Sequence, residues 1–180
     1  MNLIETQIID GILPQTYADE IERTLFNMSF PWYLLEDITY SNTIQFDNLK
    51  PEKKTPGFMH YLLCENIESP YFNFLKIIPH LALGVKFNYN QSRCFLQLPL
   101  NTRQEHNNIH VDNYMPHIVC LYYVNDADGD TVLFSNDRKT IIQRITPKKN
   151  RVVIFDGSIP HASSTPTKFK RAVINYNLTT

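Results

Sequence analysis

His110-Val111-Asp112 sets an imidazole and a carboxylate two residues apart. On an extended strand, residues i and i+2 project to the same face, so both side chains could reach one metal ion. A third ligand has to come from elsewhere in the chain. His161, roughly fifty residues on, is the candidate. It follows Val152-Val153-Ile154-Phe155, a buried-strand pattern, and a turn at Asp156-Gly157, so it should open the next strand. Two imidazoles and one carboxylate on one face of an octahedral ion leave three positions open. That is the arrangement used for oxygen activation at ferrous iron. Zinc accepts the same ligands in a catalytic site, and the triad alone does not choose between them.

Arg171 lies ten residues after His161, in Lys168-Phe-Lys-Arg171-Ala-Val-Ile-Asn175-Tyr176. If that strand alternates, Arg171, Val173 and Asn175 share a face. A guanidinium there could hold a distal carboxylate by two parallel hydrogen bonds. A five-carbon keto-diacid could then chelate iron at one end and meet Arg171 at the other. Arg93 reads as a surface or structural salt bridge, with a place at the pocket as the alternative. His60, His80, His106 and His117 read as hydrogen-bonded core or surface histidines, with a role beside the site left open for His106 and His117. Asp156 and Ser158 should shape the turn before His161, and Trp32 should pack the N-terminal helix.

The elements that must position these residues are legible in outline. Tyr17, Ile21, Leu25 and Met28 recur at helical spacing over Thr16 to Met28, after Pro14. Ser69-Pro70 opens a second helix towards Gly84, with a kink or break at Pro79. Residues Tyr40 to Pro56 read as a loop or short strand. Short strand-like runs follow over 93–98, 108–111, 117–124, 131–134, 140–145, 151–155 and 171–178. Asp126-Ala-Asp-Gly-Asp130 should form a hairpin-type turn between two of them. The expected fold is mainly β within α+β: a jelly roll with the N-terminal helices packed on one outer face. One domain over 1–180 is expected, with 1–90 a helical support region and 91–180 the catalytic core.

Composition sets outer limits. The chain has 180 residues, 43% hydrophobic and 19% charged, which suits a folded core. Ten Tyr and eleven Phe favour a β-rich fold. The net charge of −1 gives no field to gather nucleic acid. The clusters Lys148-Lys149-Arg151 and Lys168-Lys170-Arg171 read as solvated loops. Cys64, Cys94 and Cys120 form no CxxC pair, which suits a reduced, cytoplasmic protein. Neither an apolar span nor a leader-like start is visible.

The spacing HxD, about fifty residues, H, then R ten later resembles the 2-oxoglutarate/Fe(II) oxygenase superfamily. Cys120-Leu-Tyr-Tyr-Val-Asn125, the Asp-Gly turn and Thr131-Val-Leu-Phe134 are similar to its prolyl-hydroxylase branch. Phe30-Pro-Trp-Tyr33, Ser69-Pro-Tyr-Phe-Asn-Phe74 and Val153 to His161 look like a small oxygenase group of tailed phages and marine bacteria. The catalytic resemblance covers residues 93 to 178.

The resemblance implies a double-stranded β-helix with iron at its open mouth. His110, Asp112 and His161 match the metal ligands, and Arg171 matches the residue that binds the 2-oxoglutarate 5-carboxylate. Tyr123 matches a strand tyrosine that helps hold that carboxylate, although Tyr122 competes for the inward position. Asn175 falls where a polar residue often assists. The implied cofactor is Fe(II), with 2-oxoglutarate as co-substrate, dioxygen as oxidant and ascorbate as a further candidate. The implied reaction is hydroxylation of an unactivated C–H bond, with release of succinate and CO2. A protein or peptide side chain such as proline is first in line as substrate. A free amino acid or small metabolite, a nucleic acid to be demethylated, and a non-catalytic metal-binding jelly roll are the alternatives. The Asp128-Gly129-Asp130 turn departs from the branch's usual Gly-Gly pair, and Asp112 argues against halogenation, which needs that coordination position vacant.

Overall fold

The computed structural model of the chain describes residues 5–39, 44–45, 54–101 and 105–180. Most of the expected loop at 40–56 lies outside the described residues. In chain order the elements are β1 (Gln7–Asp10), α1 (Gln15–Leu25), β2 (Tyr33–Leu35), β3 (Ile44–Gln45), β4 (Gly57–Cys64) and β5 (Ile67–Glu68). Then come α2 (Phe72–Leu75), α3 (Ile77–Ala82), β6 (Asn88–Gln97), β7 (His110–Val111), β8 (Ile118–Tyr123), β9 (Thr131–Phe134), β10 (Ile141–Ile145), β11 (Arg151–Asp156), β12 (His161–Ser163) and β13 (Arg171–Thr179).

Among the described residues the strands form two antiparallel sheets. The larger has eight strands in the order β1-β11-β8-β13-β6-β4-β2, with β5 beside β4. The smaller has five, in the order β10-β9-β12-β7-β3. They face each other as a jelly roll, as expected. The first ninety residues do more than support it. They supply β1, which pairs with β11, and β4, which pairs with β6.

Alternation assigns the layers. On β8, Val119, Leu121 and Tyr123 point between the sheets, where they meet Leu133, Phe155 and Val173. Cys120 and Tyr122 point the other way, onto a layer built from Ile21, Leu25, Leu75 and Ile78 of the helices. Both faces of the large sheet are therefore covered, and β8 is buried along its whole length.

The structure corrects three expectations. Helix α1 ends at Leu25, and Met28 is fully exposed rather than part of the packed face. The Asn27 side chain accepts from the Ser29 backbone N–H (2.9 Å), which turns the chain out of the helix ahead of Pro31. The second helix is two short ones, parted at Lys76 rather than at Pro79. Pro79 sits in the first turn of α3, where its missing N–H has no helical partner to lose. The Asp126–Asp130 segment is no hairpin. β8 and β9 belong to different sheets, so the segment is a crossover between layers.

Lys148 and Arg151 pair with Asp10 of β1, and Lys149 pairs with Asp19 and Glu22 of α1 (2.5 Å each). This basic cluster fastens the N-terminal segment to the core and is not an open cationic patch. Arg171 is buried, so it leaves the second cluster. Among the described residues, no helix is long and apolar enough to cross a membrane.

Candidate metal centre and co-substrate pocket

His110 and His161 face each other across the β7–β12 pair, in direct register. Directly opposed residues on antiparallel strands bring their side chains together, and the two imidazole centroids lie 4.6 Å apart. Asp112, immediately past β7, turns its carboxylate between them, with Oδ1 3.9 Å from His110 Nε2 and Oδ2 3.9 Å from His161 Nε2. One ligand atom from each of the three residues lies within 4.8 Å of the others.

The protonation pattern suits a cation. His110 Nδ1 donates to the Asn108 carbonyl (3.0 Å) and His161 Nδ1 to the Ile159 carbonyl (2.9 Å). A carbonyl only accepts, so each Nδ1 carries the hydrogen and each Nε2 keeps its lone pair. Burial, and then the neighbouring His161, pushes His110 down to about 4, and burial lowers His161 as well. Burial alone would raise Asp112, but the Arg93 guanidinium and the two imidazoles outweigh it and hold the carboxyl well below the usual range. Two neutral imidazoles and an ionised carboxylate form a donor set that fits a divalent ion of the ferrous type.

Arg171 opens β13 at the other end of the pocket. Its guanidinium donates from Nε to the Gly129 carbonyl (2.8 Å), from Nη1 to Gln97 Oε1 (2.9 Å) and from Nη2 to Thr131 Oγ1 (2.9 Å). The Tyr123 hydroxyl donates to the same Thr131 oxygen at 2.6 Å. Tyr123, and not Tyr122, is therefore the tyrosine that points between the sheets, beside Thr131 and Arg171. Between the two polar ends the walls are apolar, with Phe95, Val119, Leu121, Phe155 and Val173. A buried cation with two hydroxyls beside it, across an apolar gap from the triad, fits an acid with a carboxylate at each end.

Asn175 lines the pocket, but its amide Nδ2 donates to Asp112 Oδ2 at 2.8 Å and lies away from the Arg171 end. Sequence reasoning did not single out Gln97 and Thr131. Alternation along 131–134 places Thr131 inward with Leu133 and was the available signal; Gln97 owes its place to pairing opposite Arg171, which is non-local. Arg93 is fully buried and holds Asp112 Oδ1 at 3.0 Å. Its salt bridge is internal, not on the surface. Asp156 Oδ1 accepts from Ser158 N (2.9 Å) and Oγ (2.7 Å), forming the turn that leads to His161. Trp32 Nε1 donates to the Leu25 carbonyl at 2.9 Å and so closes the end of α1.

Residues 96–179 match the sequence model of the 2OG-Fe(II) oxygenase superfamily, and they hold the triad and Arg171. This part of the chain belongs to that superfamily. The protein is accordingly a 2-oxoglutarate-dependent dioxygenase that uses Fe(II). Solved structures share its fold. A viral collagen prolyl hydroxylase from Paramecium bursaria Chlorella virus-1 is 12% identical with a TM-score of 0.59, over 98% of this chain and 90% of that one. A 2OG-Fe(II) oxygenase family oxidoreductase from Burkholderia pseudomallei is 11% identical with a TM-score of 0.67, over 97% and 84%. A Trichoplax adhaerens prolyl hydroxylase, solved with a hypoxia inducible factor peptide fragment, is 15% identical with a TM-score of 0.62, over 97% and 83%. No curated protein matches the chain in sequence.

Proposed function

We propose that this oxygenase hydroxylates an unactivated C–H bond in a protein or peptide side chain, with proline the first residue to test. In this reading His110, Asp112 and His161 hold Fe(II). Arg171, with Tyr123 and Thr131 beside it, holds the distal carboxylate of 2-oxoglutarate. The observation that carries it is the pairing of a His-Asp-His cluster with a buried arginine at opposite ends of one apolar-walled pocket. Bound iron and 2-oxoglutarate supply the oxygen-activating chemistry, with succinate and CO2 as by-products. The chain's own residues hold the ligand atoms, orient the keto-acid and keep water from the walls.

A peptide substrate is supported by fold neighbours that are prolyl hydroxylases, one of them solved with a peptide fragment. The ion pairing of Lys148, Lys149 and Arg151 leaves that cluster a poor landing site for nucleic acid. The reduced cysteines suit the cytoplasm as its compartment.

Anaerobic titration with Fe(II) and then 2-oxoglutarate should produce a visible charge-transfer band in the native chain. Arg171→Met should still bind metal but lose that band at native co-substrate concentrations. Proline-containing peptides should then gain the mass of one oxygen atom in step with succinate release. Oxygen incorporation into free amino acids alone would replace the peptide reading with a small-molecule one.

A further inference from the structure

The inner face of the large sheet is laid out in three cross-strand rows. Gln97 stands opposite Arg171, Phe95 opposite Val173, and Arg93 opposite Asn175. The first row is the polar anchor and the second is apolar wall. The third is polar again, and both its members reach across to the small sheet. Arg93 Nη2 donates to Asp112 Oδ1 at 3.0 Å, and Asn175 Nδ2 donates to Asp112 Oδ2 at 2.8 Å.

We infer that Arg93 and Asn175 are positioning residues that clamp Asp112 from the opposite sheet, and that Asn175 serves this carboxylate rather than 2-oxoglutarate. The inference rests on the metal centre proposed above. Three observations carry it. First, β7 has only two residues, and Asp112 lies just beyond it, so local backbone pairing does little to fix this side chain. Second, the two donors take different oxygens of one carboxylate, which stops it from rotating. Each oxygen still has a lone pair to offer a cation. Third, the Asn175 amide turns its NH2 to Asp112, which leaves Oδ1 buried without a hydrogen-bond partner. That unpaired acceptor is poorly suited to greet a second carboxylate. A buried guanidinium is costly to desolvate, and only a geometrically good ionic partner offsets that. Here the partner is the proposed ligand itself.

The clamp makes a prediction opposite in sign to simple electrostatics. A guanidinium beside a cation site repels the cation, so removing its charge should tighten metal binding if the repulsion were all that mattered. If Arg93 positions Asp112, removing it should weaken binding.

The experiment is calorimetric titration of the full chain with Co(II), with circular dichroism to verify folding. Arg93→Met and Asn175→Ala should each weaken Co(II) binding by roughly ten- to a hundred-fold, the usual effect of losing a partner of a metal ligand. Arg93→Lys should restore part of the loss. At saturating Co(II), Asn175→Ala should keep native affinity for 2-oxoglutarate. Native or tighter Co(II) binding in both Arg93→Met and Asn175→Ala overturns the clamp. So does a loss of 2-oxoglutarate affinity in Asn175→Ala with metal binding intact. If Arg93→Met fails to fold, Asn175→Ala decides alone. A native chain that binds no Co(II) overturns the metal centre itself, and the clamp with it.

Discussion

At the residue scale the adjacent pair Tyr122-Tyr123 shows how one strand divides labour. Both side chains are fully buried, yet they serve opposite layers. The Tyr123 hydroxyl is bonded to Thr131, whereas the Tyr122 hydroxyl is buried without a partner among the described residues. Removing an unpaired buried hydroxyl relieves a desolvation penalty, while removing a paired one loses about 0.5–1.5 kcal/mol and loosens its partner. Tyr122→Phe should therefore leave Tm unchanged or slightly raised, with native kinetics. Tyr123→Phe should raise the KM for 2-oxoglutarate several-fold, because Thr131 also receives Arg171. Steady-state titration of 2-oxoglutarate on both variants checks this. Periodicity could not choose between the two tyrosines. On a sheet covered on both faces, inward and outward positions are equally apolar, and the usual polar-out signal is absent.

At the element scale, the crossover 126–130 matters more than its sequence suggests. The Asp128 carboxylate accepts from the Thr167 hydroxyl (2.6 Å) and from the backbone N–H groups of Thr167, Lys168 and Phe169. It thereby ties the crossover to the loop that delivers Arg171. Gly129 offers its carbonyl to Arg171, and a Cβ there would lie 2.6 Å from the Ser164 carbonyl oxygen, which is backbone and cannot swing away. This turn therefore needs a glycine at position 129.

Burial alone would raise the Asp128 pKa, but the Thr167 hydroxyl and the three N–H groups hold it well below the usual range. A carboxyl depressed on folding stabilises above its unfolded pKa, about 4, and loses that contribution as pH falls further. Asp128→Asn should thus cost about 1–3 kcal/mol near neutral pH. The gap from native should hold constant down to about pH 5 and shrink only as pH falls below about 4, as read from urea unfolding at each pH.

The strands that carry ligands were legible because β-rich runs, turn residues and the HxD spacing are local signals. The hairpin expected at 126–130 failed for the opposite reason: which sheet a strand joins depends on partners far along the chain. β4 was missed on similar grounds. Gly57–Cys64 alternates poorly, and its place is set by pairing with β2 and β6. The triad and Arg171 were read from sequence; Gln97 and the true partner of Asn175 were not, since cross-strand register decides both.

At the scale of the whole molecule, the helices, the large sheet and the small sheet stack in that order, and the pocket lies between the two sheets. The strand β13 occupies the middle of the large sheet, between β8 and β6, although it is the last strand in chain order. That placement has a kinetic consequence. During synthesis or refolding, β6 and β8 carry unpaired edges until residues 171–179 arrive between them, and such edges invite pairing with other chains. Closure across so long a loop is intrinsically slow. Helix α1 is local and can form early, whereas Arg171 and Asn175 reach their partners only when β13 inserts. In stopped-flow refolding with Co(II) present, far-ultraviolet helical signal should therefore recover before the cobalt absorption does. Simultaneous recovery would mean that the strand order imposes no delay. The chain would acquire its shape in stages and its chemistry only at the last one.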